Sequence, residues 1–465
     1  MIDSIQNILV QVSDFLWSYI IITVLICCAL FFTWRTRFVQ FRLIREMIRL
    51  LLHPDKVQPE EIGHDELSME VKVDGEMKHI SSFQAFVVAL ASRIGTGNLA
   101  GVATAISIGG PGAVFWMWIG ALLSLAVKYG EVVLAVKYRH PTTDGYRGGT
   151  MFTLRDGYGK TRLGGLFALF CIANALVTGN LLQSNAAAAV LAPLPRWSCG
   201  LILVFLTLLA LRCGIHRLSE VTLRLIPGLC AVYIVASLAV IGSHVTYLPE
   251  ILAEIVSCAF STKAVVGGTV GWTIREAVRF GITRGIFSNE AGCGTSPTSH
   301  AAADTKSPHH QGMYGIFEVF CDTIVLCTMT ALVLLIAERE YGILSWGGDN
   351  MTLLAFGLYG GKFLYGVLAL SVVLFAYATI LAQLYYGDTA IRYFGEHKWA
   401  RRSFVAGMLC VTMVGAVADA SVLWRIADVL VCMMTMVNTA FLFGRRREIG
   451  ESARMGMLEA DEKAG

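Results

Sequence analysis

The chain has 465 residues, of which 55% are hydrophobic and only 15% charged, against about a quarter charged in soluble domains. Its 37 basic and 34 acidic residues leave a net charge of +3, which gives no sign of a nucleic-acid partner and makes the distribution of charge the informative quantity. Twelve cysteines are present, several within apolar runs and none in C-x-x-C or zinc-like spacing, so they read as small buried hydrophobes and not as a disulfide or metal framework.

Runs of about 20 apolar residues, enough to cross a bilayer, fall near 14–34, 81–108, 111–137, 163–191, 197–212, 221–244, 265–286, 312–337, 363–390, 403–419 and 421–443. About eleven transmembrane helices are therefore predicted. The first run follows an acidic, cation-free start and lacks a small-residue cleavage pattern, so it reads as a retained span. With this count the cation-rich connections at 35–78, 137–162, 212–224, 306–310 and 392–402, and the run Arg445-Arg446-Arg447, all fall on one side. The positive-inside rule makes that side cytoplasmic, with the N-terminus outside and the C-terminus inside. Between the first two spans, Arg42, Arg45 and Arg49 share one helical face, with Phe41, Ile44, Ile48 and Leu52 offset from it. This is the pattern of a helix lying on the cytoplasmic membrane surface. His53 to His79 is polar without recognisable chemistry, and Glu448 to Gly465 is expected to be a mobile tail.

Two spans are interrupted by glycine and polar residues: Ala91-Ser92-Arg93-Ile94-Gly95-Thr96-Gly97-Asn98-Leu99-Ala100-Gly101, and RGIFSNEAGCG at Arg284–Gly294. In hydrocarbon an unsatisfied backbone group costs several kcal/mol, so broken helices persist only where those groups face protein, water or a ligand. Leaving out the first span, the breaks lie five spans apart. An odd separation makes corresponding helices cross in opposite directions, as an inverted repeat requires, and paired interruptions point to a transporter's midplane site. Free N–H groups and the positive helix end favour a carboxylate, while released carbonyls suit a hard cation. Gly95 and Gly97 would let a ligand approach the backbone, and Asn98 offers an amide oxygen. Close helix packing is the other use of such glycines. No nucleotide motif is present, since G-x-x-x-x-G-K-[ST] is missing.

Arg93, Lys128, Glu131, Glu290 and Glu318 fall in or near spans, where ionisable groups are costly and are paired or functional. Lys128 and Glu131 have the i, i+3 spacing of a structural pair. Arg93 and Glu290 each adjoin a break and are expected to form a salt bridge, with Arg93–Glu131 as the competing pairing. Asn174, Asn180, Gln183 and Asn185 make an amide-rich patch in which Asn180 and Gln183 can share a face, toward a ligand or toward a neighbouring helix. Asp388 and Asp419 read as solvated caps.

The residues of six stretches carry a resemblance: Ser92 to Trp118, Glu131 to Arg139, RGGTMFTLRDG at Arg147–Gly157, GNLLQSNAAA at Gly179–Ala188, RGIFSNEAGCGTSPTSHAAA at Arg284–Ala303, and LFAYATILAQLYYG at Leu374–Gly387. Over most of its length the sequence resembles the alanine or glycine:cation symporters, a family of the amino acid, polyamine and organocation transporter superfamily. The resemblance implies an all-α membrane protein with a five-plus-five inverted repeat, broken first and sixth core helices, and one extra N-terminal helix. It divides the chain into that helix (1–35), a cytoplasmic amphipathic helix and polar linker (36–80), two repeats (81–244 and 245–443) and a cytoplasmic tail (444–465). It implies a carboxylate cradle at Gly95, Thr96 and Gly97, with Asn98, Gln183, Phe287, Ser288 and Asn289 around the substrate. A sodium site is implied at Ala91 and Ile94 of the first break and Phe375 and Thr379 of the eighth core helix.

Two departures stand out. Ala378 precedes Thr379 where two adjacent hydroxyl residues are common, and Gln383 stands where many members carry tryptophan. Thr150 also replaces a frequent proline. The expected function is sodium-coupled symport of alanine or glycine across the cytoplasmic membrane, with no enzymatic activity and no cofactor beyond the co-transported ion. Alternatives are proton coupling with Glu290 as carrier, or a larger polar substrate such as glutamine. Remoter rivals are an ion channel and a membrane-embedded hydrolase using Ser288, Ser296 or Ser299 with His300 as base. The expected partners are the amino acid, sodium and lipid, and no nucleic acid.

Overall fold

The computed structural model describes residues 15–42, 80–95, 97–142, 145–191, 194–213, 215–261, 273–345 and 350–462. A π-turn at Leu16–Ile21 leads into α1 (Ile22–Arg35). The first interrupted span consists of α2 (Ser82–Ala91), a π-turn at Gly97–Gly101 and α3 (Val102–Gly109). Ser81 and Gln84 close a capping box that starts α2, each satisfying a main-chain N–H that a helix start leaves free. Next come α4 (Gly112–Lys137), a two-stranded antiparallel ribbon of β1 (His140–Thr142) and β2 (Gly145–Arg147), and α5 (Thr161–Leu176), which passes through a π-turn at Val177–Leu181 into α6 (Leu182–Val190).

α7 (Arg196–Cys213) and α8 (Ile215–Ser243) follow, with α9 (Leu248–Cys258) at an angle; the segments Pro227–Ser243 and Val245–Cys258 are bent by 73°. The second interrupted span is α10 (Ile274–Asn289), opened by a Thr273/Glu276 capping box, and the single turn α11 (Pro297–His300). α12 (Pro308–Val319) continues through a π-turn at Phe320–Cys327 into α13 (Thr328–Tyr341). α14 (Met351–Arg392) is kinked at Gly361, whose φ is 60°. The chain ends with α15 (Lys398–Val417), α16 (Ala420–Gly444) and α17 (Arg446–Glu462). Among the described residues six helices are long and apolar enough to cross a membrane, and the bent pair meets the same measure together.

α4 runs through the middle of the bundle, packed against α1, α10 and α12. Every residue from Ser124 to Val136 is buried, so this helix has no solvent- or lipid-facing stripe there. Small residues allow the close approach: a Cβ on Gly281 of α10 would collide with the Ala113 carbonyl of α4.

Three expectations change. The second break is shorter than Arg284–Gly294, because α10 stays helical through Asn289 and the chain leaves the helix at Glu290, which is left-handed at φ 45°. The predicted span at 363–390 starts earlier, at Met351, since the apolar run continues across the glycine kink. The expected mobile tail is instead α17, whose Ile449 and Ala453, four residues apart on one face, are both fully buried. α17 packs on α4, α12 and α1. The interfacial helix expected around Arg45, Arg49, Ile44, Ile48 and Leu52 lies outside the described residues, as does most of the linker to residue 79.

Candidate functional site

The two interruptions meet. α2 ends as the Ser92, Arg93 and Ile94 amides donate back to Ala89, Leu90 and Leu90 carbonyls at 3.0 to 3.2 Å. Thr96 lies outside the described residues. In the second span the Glu290 amide closes α10 on the Ile286 carbonyl, and Gly292 and Gly294 take φ of 91° and 75°, a region that glycine enters at no steric cost. A Cβ on Gly97 would lie 3.0 Å from the Ser288 Cα. The glycine therefore lets the two main chains touch.

Beside that contact is a narrow polar pocket, with room for about one water molecule. Its walls are Ser92, Arg93 and Gly97 of the first span, Phe287, Ser288 and Glu290 of the second, Thr178 and Gln183 of the α5–α6 span, and Thr379 and Gln383 of α14. Gly95 borders the same side chains: a Cβ there would lie 3.1 Å from Gln183 Oε1 and 3.3 Å from Thr379 Oγ1. Gln383 fits only because Gly179 opposite has no side chain, since a Cβ would overlap its methylenes. Gln383 is buried, and its Oε1 has no hydrogen-bond partner among the described residues. An acceptor left in that state is costly unless a ligand or water satisfies it. The Phe287 ring is set by Trp424, with ring centres 4.7 Å apart.

Two of the sequence-selected residues point elsewhere. Asn98 accepts from the Gly95 amide at 3.1 Å and donates to Asp322 Oδ1 at 2.8 Å. Asn289 donates to Thr323 Oγ1 at 3.0 Å and accepts from the Ala291 amide at 2.9 Å. Both amides are spent on holding the breaks in shape. Asp322, unremarked in the sequence, accepts from Asn98 of one break and from the Ser288 hydroxyl of the other at 2.7 Å. The signal that marks it is a carboxylate within the apolar run of a span, four residues after Glu318. In the amide patch only Gln183 faces the cavity; Asn180 donates to the Met408 carbonyl at 2.6 Å and Asn185 to the Gly415 carbonyl at 2.9 Å, both on α15.

Of the residues considered for sodium, three come together. Thr379 Oγ1 lies 3.3 Å from the Ala91 carbonyl oxygen and 3.0 Å from that of Phe375. Ile94 and Ala378 are both buried.

The cavity wall continues, through Arg93 and Glu290, into a buried charge network. Arg93 forms an ion pair with Glu290 and a longer one, 3.5 Å, with Glu318, and donates to Thr295 at 3.1 Å. Lys128 stands 3.8 Å from both Glu131 and Glu318 and donates to Ser296 at 2.7 Å. Glu131 does not pair with Arg93; it accepts from the Gly294 amide at 2.9 Å and from Asn438 of α16. The loop after the second break is thus tied to α4, α12 and α16 at once. The Thr150 hydroxyl adds a bond to the Gly294 carbonyl at 2.9 Å. Among the described residues no group of three or more histidine, cysteine, aspartate or glutamate side chains is arranged to hold a metal ion.

The sequence profile described as "Sodium:alanine symporter family" matches residues 2–447. A probable sodium/glutamine symporter of Bacillus subtilis is 33% identical over 94% of this chain and 88% of its own length. The sodium/alanine symporter of Methanococcus maripaludis is 34% identical over 92% of each chain. An amino-acid carrier protein of Bacillus subtilis is 33% identical over 94% and 89%. Among solved structures, a mutant manganese transporter of Eremococcus coleocola aligns over 83% of this chain and 78% of that one, at 13% identity and a TM-score of 0.48. With its several apolar helices and a family match across nearly its whole length, the chain is a multi-pass membrane protein that belongs to the sodium:alanine symporter family.

Proposed function

We propose that the protein takes up a small neutral amino acid together with sodium across the cytoplasmic membrane by alternating access. The observation that carries this reading is the polar cavity where the two interrupted helices touch at Gly97 and Ser288. In this reading the main chain at Gly95, Thr96 and Gly97 receives the substrate carboxylate at the helix end of the first break, with Gly95 giving space beside it while its own N–H stays on Asn98. Gln183 and the spare Gln383 oxygen receive the ammonium group, and Phe287 and Ser288 close the side. Asn98 and Asn289 act as braces. Sodium binds the oxygens of Ala91, Ile94, Phe375 and Thr379, and each charge that moves down 100 mV supplies about 2.3 kcal/mol. The eleven spans, the two repeats at 81–244 and 245–443, and the cytoplasmic C-terminus belong to the same proposal. Gln383 supports extending the substrate class to a polar side chain such as that of glutamine, consistent with the name of one relative.

A second reading concerns the ion. Asp322 is fully buried and has no basic partner among the described residues. A buried carboxylate in that state favours a cation beside it, so a sodium ion or a proton at Asp322 is an alternative to the Thr379 site. The test is uptake into proteoliposomes of a labelled amino acid panel under imposed sodium or proton gradients, repeated with Asp322→Asn and Thr379→Ala. Alanine uptake driven by sodium, with the sodium requirement raised only by Thr379→Ala, supports the first reading. A raised requirement only in Asp322→Asn moves the ion, and uptake driven by protons alone overturns sodium coupling.

A further inference from the structure

Tyr386 of α14 is buried where both interrupted spans meet that helix. It follows Gln383 by three residues and Thr379 by seven, so the three share one helix face. Thr379 and Gln383 line the cavity. The Tyr386 hydroxyl lies 3.1 Å from Ser92 Oγ at the end of α2 and 3.1 Å from Ser299 Oγ on α11. One side chain thus touches both broken spans, and Ser92 is itself a cavity wall. Beyond Tyr386, α14 reaches the partly exposed ion pairs of Asp388 with Arg392 and Arg401. At 1.5 Å per residue Gln383 and Arg392 are only about 14 Å apart, and Tyr386 stands between them.

The supply of hydrogens around this hydroxyl is short by one. Ser92 Oγ lies 2.6 Å from the Ala89 carbonyl oxygen and Ser299 Oγ 2.8 Å from that of Ser296, and a carbonyl can only accept. With the two contacts of Tyr386, the three hydroxyls make four contacts among the described residues. Each hydroxyl has a single O–H, so one contact is always without a hydrogen. While both serines donate to their own turns, the Tyr386 O–H points at Ser92 or at Ser299 and not at both. Parting Tyr386 from the serine it is not serving breaks no hydrogen bond and orphans no donor, which is what makes buried bridges costly to open. The ring has separate support from the Arg93 guanidinium, 6.0 Å from its centre and at the edge of cation–π range.

We propose that Tyr386 is a gating residue: its hydroxyl latches α14 across both breaks, and the cavity opens toward the charged end of α14 when the O–H turns to one serine and the other is released. Gating by Tyr386 presupposes the alternating-access reading above and names the side chain that holds the cavity closed on this side. The latch yields easily because one of its contacts is already without a hydrogen.

Tyr386→Phe keeps the ring and removes only the hydroxyl, and each serine keeps its own carbonyl. The melting temperature should therefore fall by no more than about 2 °C in a chain of this size. Hydrogen exchange of the full chain in lipid nanodiscs, without substrate and read by mass spectrometry, should run about fivefold faster at residues 89–94 and 297–303, the effect of one neutral hydrogen bond. Ser299→Ala leaves Tyr386 bonded to Ser92, so the increase should be confined to 297–303. In proteoliposomes Tyr386→Phe should raise the maximal uptake rate and leave KM nearly unchanged, because the hydroxyl opens the way out and does not hold the substrate. Unchanged exchange at both segments in Tyr386→Phe overturns the latch, as does faster exchange throughout the chain with a large fall in melting temperature. Absence of amino acid uptake by the unmodified protein would remove the transport reading instead, and the exchange result decides on the latch in either case.

Discussion

Gly95 and Gly97 lie two residues apart and face different kinds of neighbour. At Gly97 an added Cβ meets the Ser288 main chain at 3.0 Å, whereas at Gly95 it meets the ends of Gln183 and Thr379, which can move. Gly97→Ala should therefore strain the contact between the breaks, at the roughly 1–3 kcal/mol of overpacking, and lower both the unfolding temperature and the maximal uptake rate. Gly95→Ala should leave stability nearly unchanged and raise KM, because it fills space beside Gln183. Melting curves and uptake kinetics of the two variants separate the effects; equal destabilisation by both would refute the distinction. At this scale the glycines, Gln183 and Gln383 were legible because a break and a resemblance marked them. Asn98 and Asn289, expected around the substrate, make their bonds within the breaks; an amide beside a break serves equally to bind a ligand or to brace the backbone, and local sequence does not distinguish the two. Thr150 had no derivable consequence from sequence, yet its hydroxyl holds the Gly294 carbonyl at the second break.

Among the elements, most helix positions followed from apolar length, and both breaks followed from glycine and polar residues inside such runs. α17 escaped that reading because its support is tertiary: two buried side chains on one face, with Gly450 and Gly456 weakening any intrinsic helical preference. The docking also depends on Glu448. Burial alone would raise its carboxyl, yet hydrogen bonds from Lys137, Arg445 and Tyr138 outweigh this and hold it below its ordinary 4.5. Lys137 stands at 2.6 Å and the Tyr138 hydroxyl at 2.9 Å. A carboxyl lowered on folding stabilises fully above its unfolded value, and that contribution disappears as pH falls through the folded one. Acidification below about pH 4.5 should therefore loosen α17, read as falling hydrogen-exchange protection factors over residues 446–462. Glu448→Gln should lower protection at neutral pH and remove the acid dependence; a wild-type helix whose protection is the same at both pH values would sink this account.

Across the whole molecule, the buried charges do more than join two residues. Arg93 and Glu290 could be matched from sequence because each adjoins a break, but the sequence does not show that Glu318, Lys128, Glu131 and Asn438 converge on the same place from three other helices. Long-range convergence of that kind depends on how helices pack, which local pattern does not encode. The difference matters for a charge-reversal experiment. An isolated pair would be restored by exchanging Arg93→Glu with Glu290→Arg. Here the exchanged carboxylate would lie within reach of Glu318, now 3.5 Å from Arg93 Nε, and the exchanged guanidinium would lie over Lys128, whose Nζ is 3.5 Å from the Glu290 carbonyl. The exchange should therefore fail to restore stability or uptake. Arg93→Ala and Glu290→Ala should each cost about 3–5 kcal/mol, the effect of leaving a buried charge unpaired. Their double variant should cost less than the sum, because the two residues share one interaction. Thermal unfolding of the four variants in detergent decides the matter: full recovery in the exchanged variant would reduce the network to a simple pair, and strict additivity would deny even that pair.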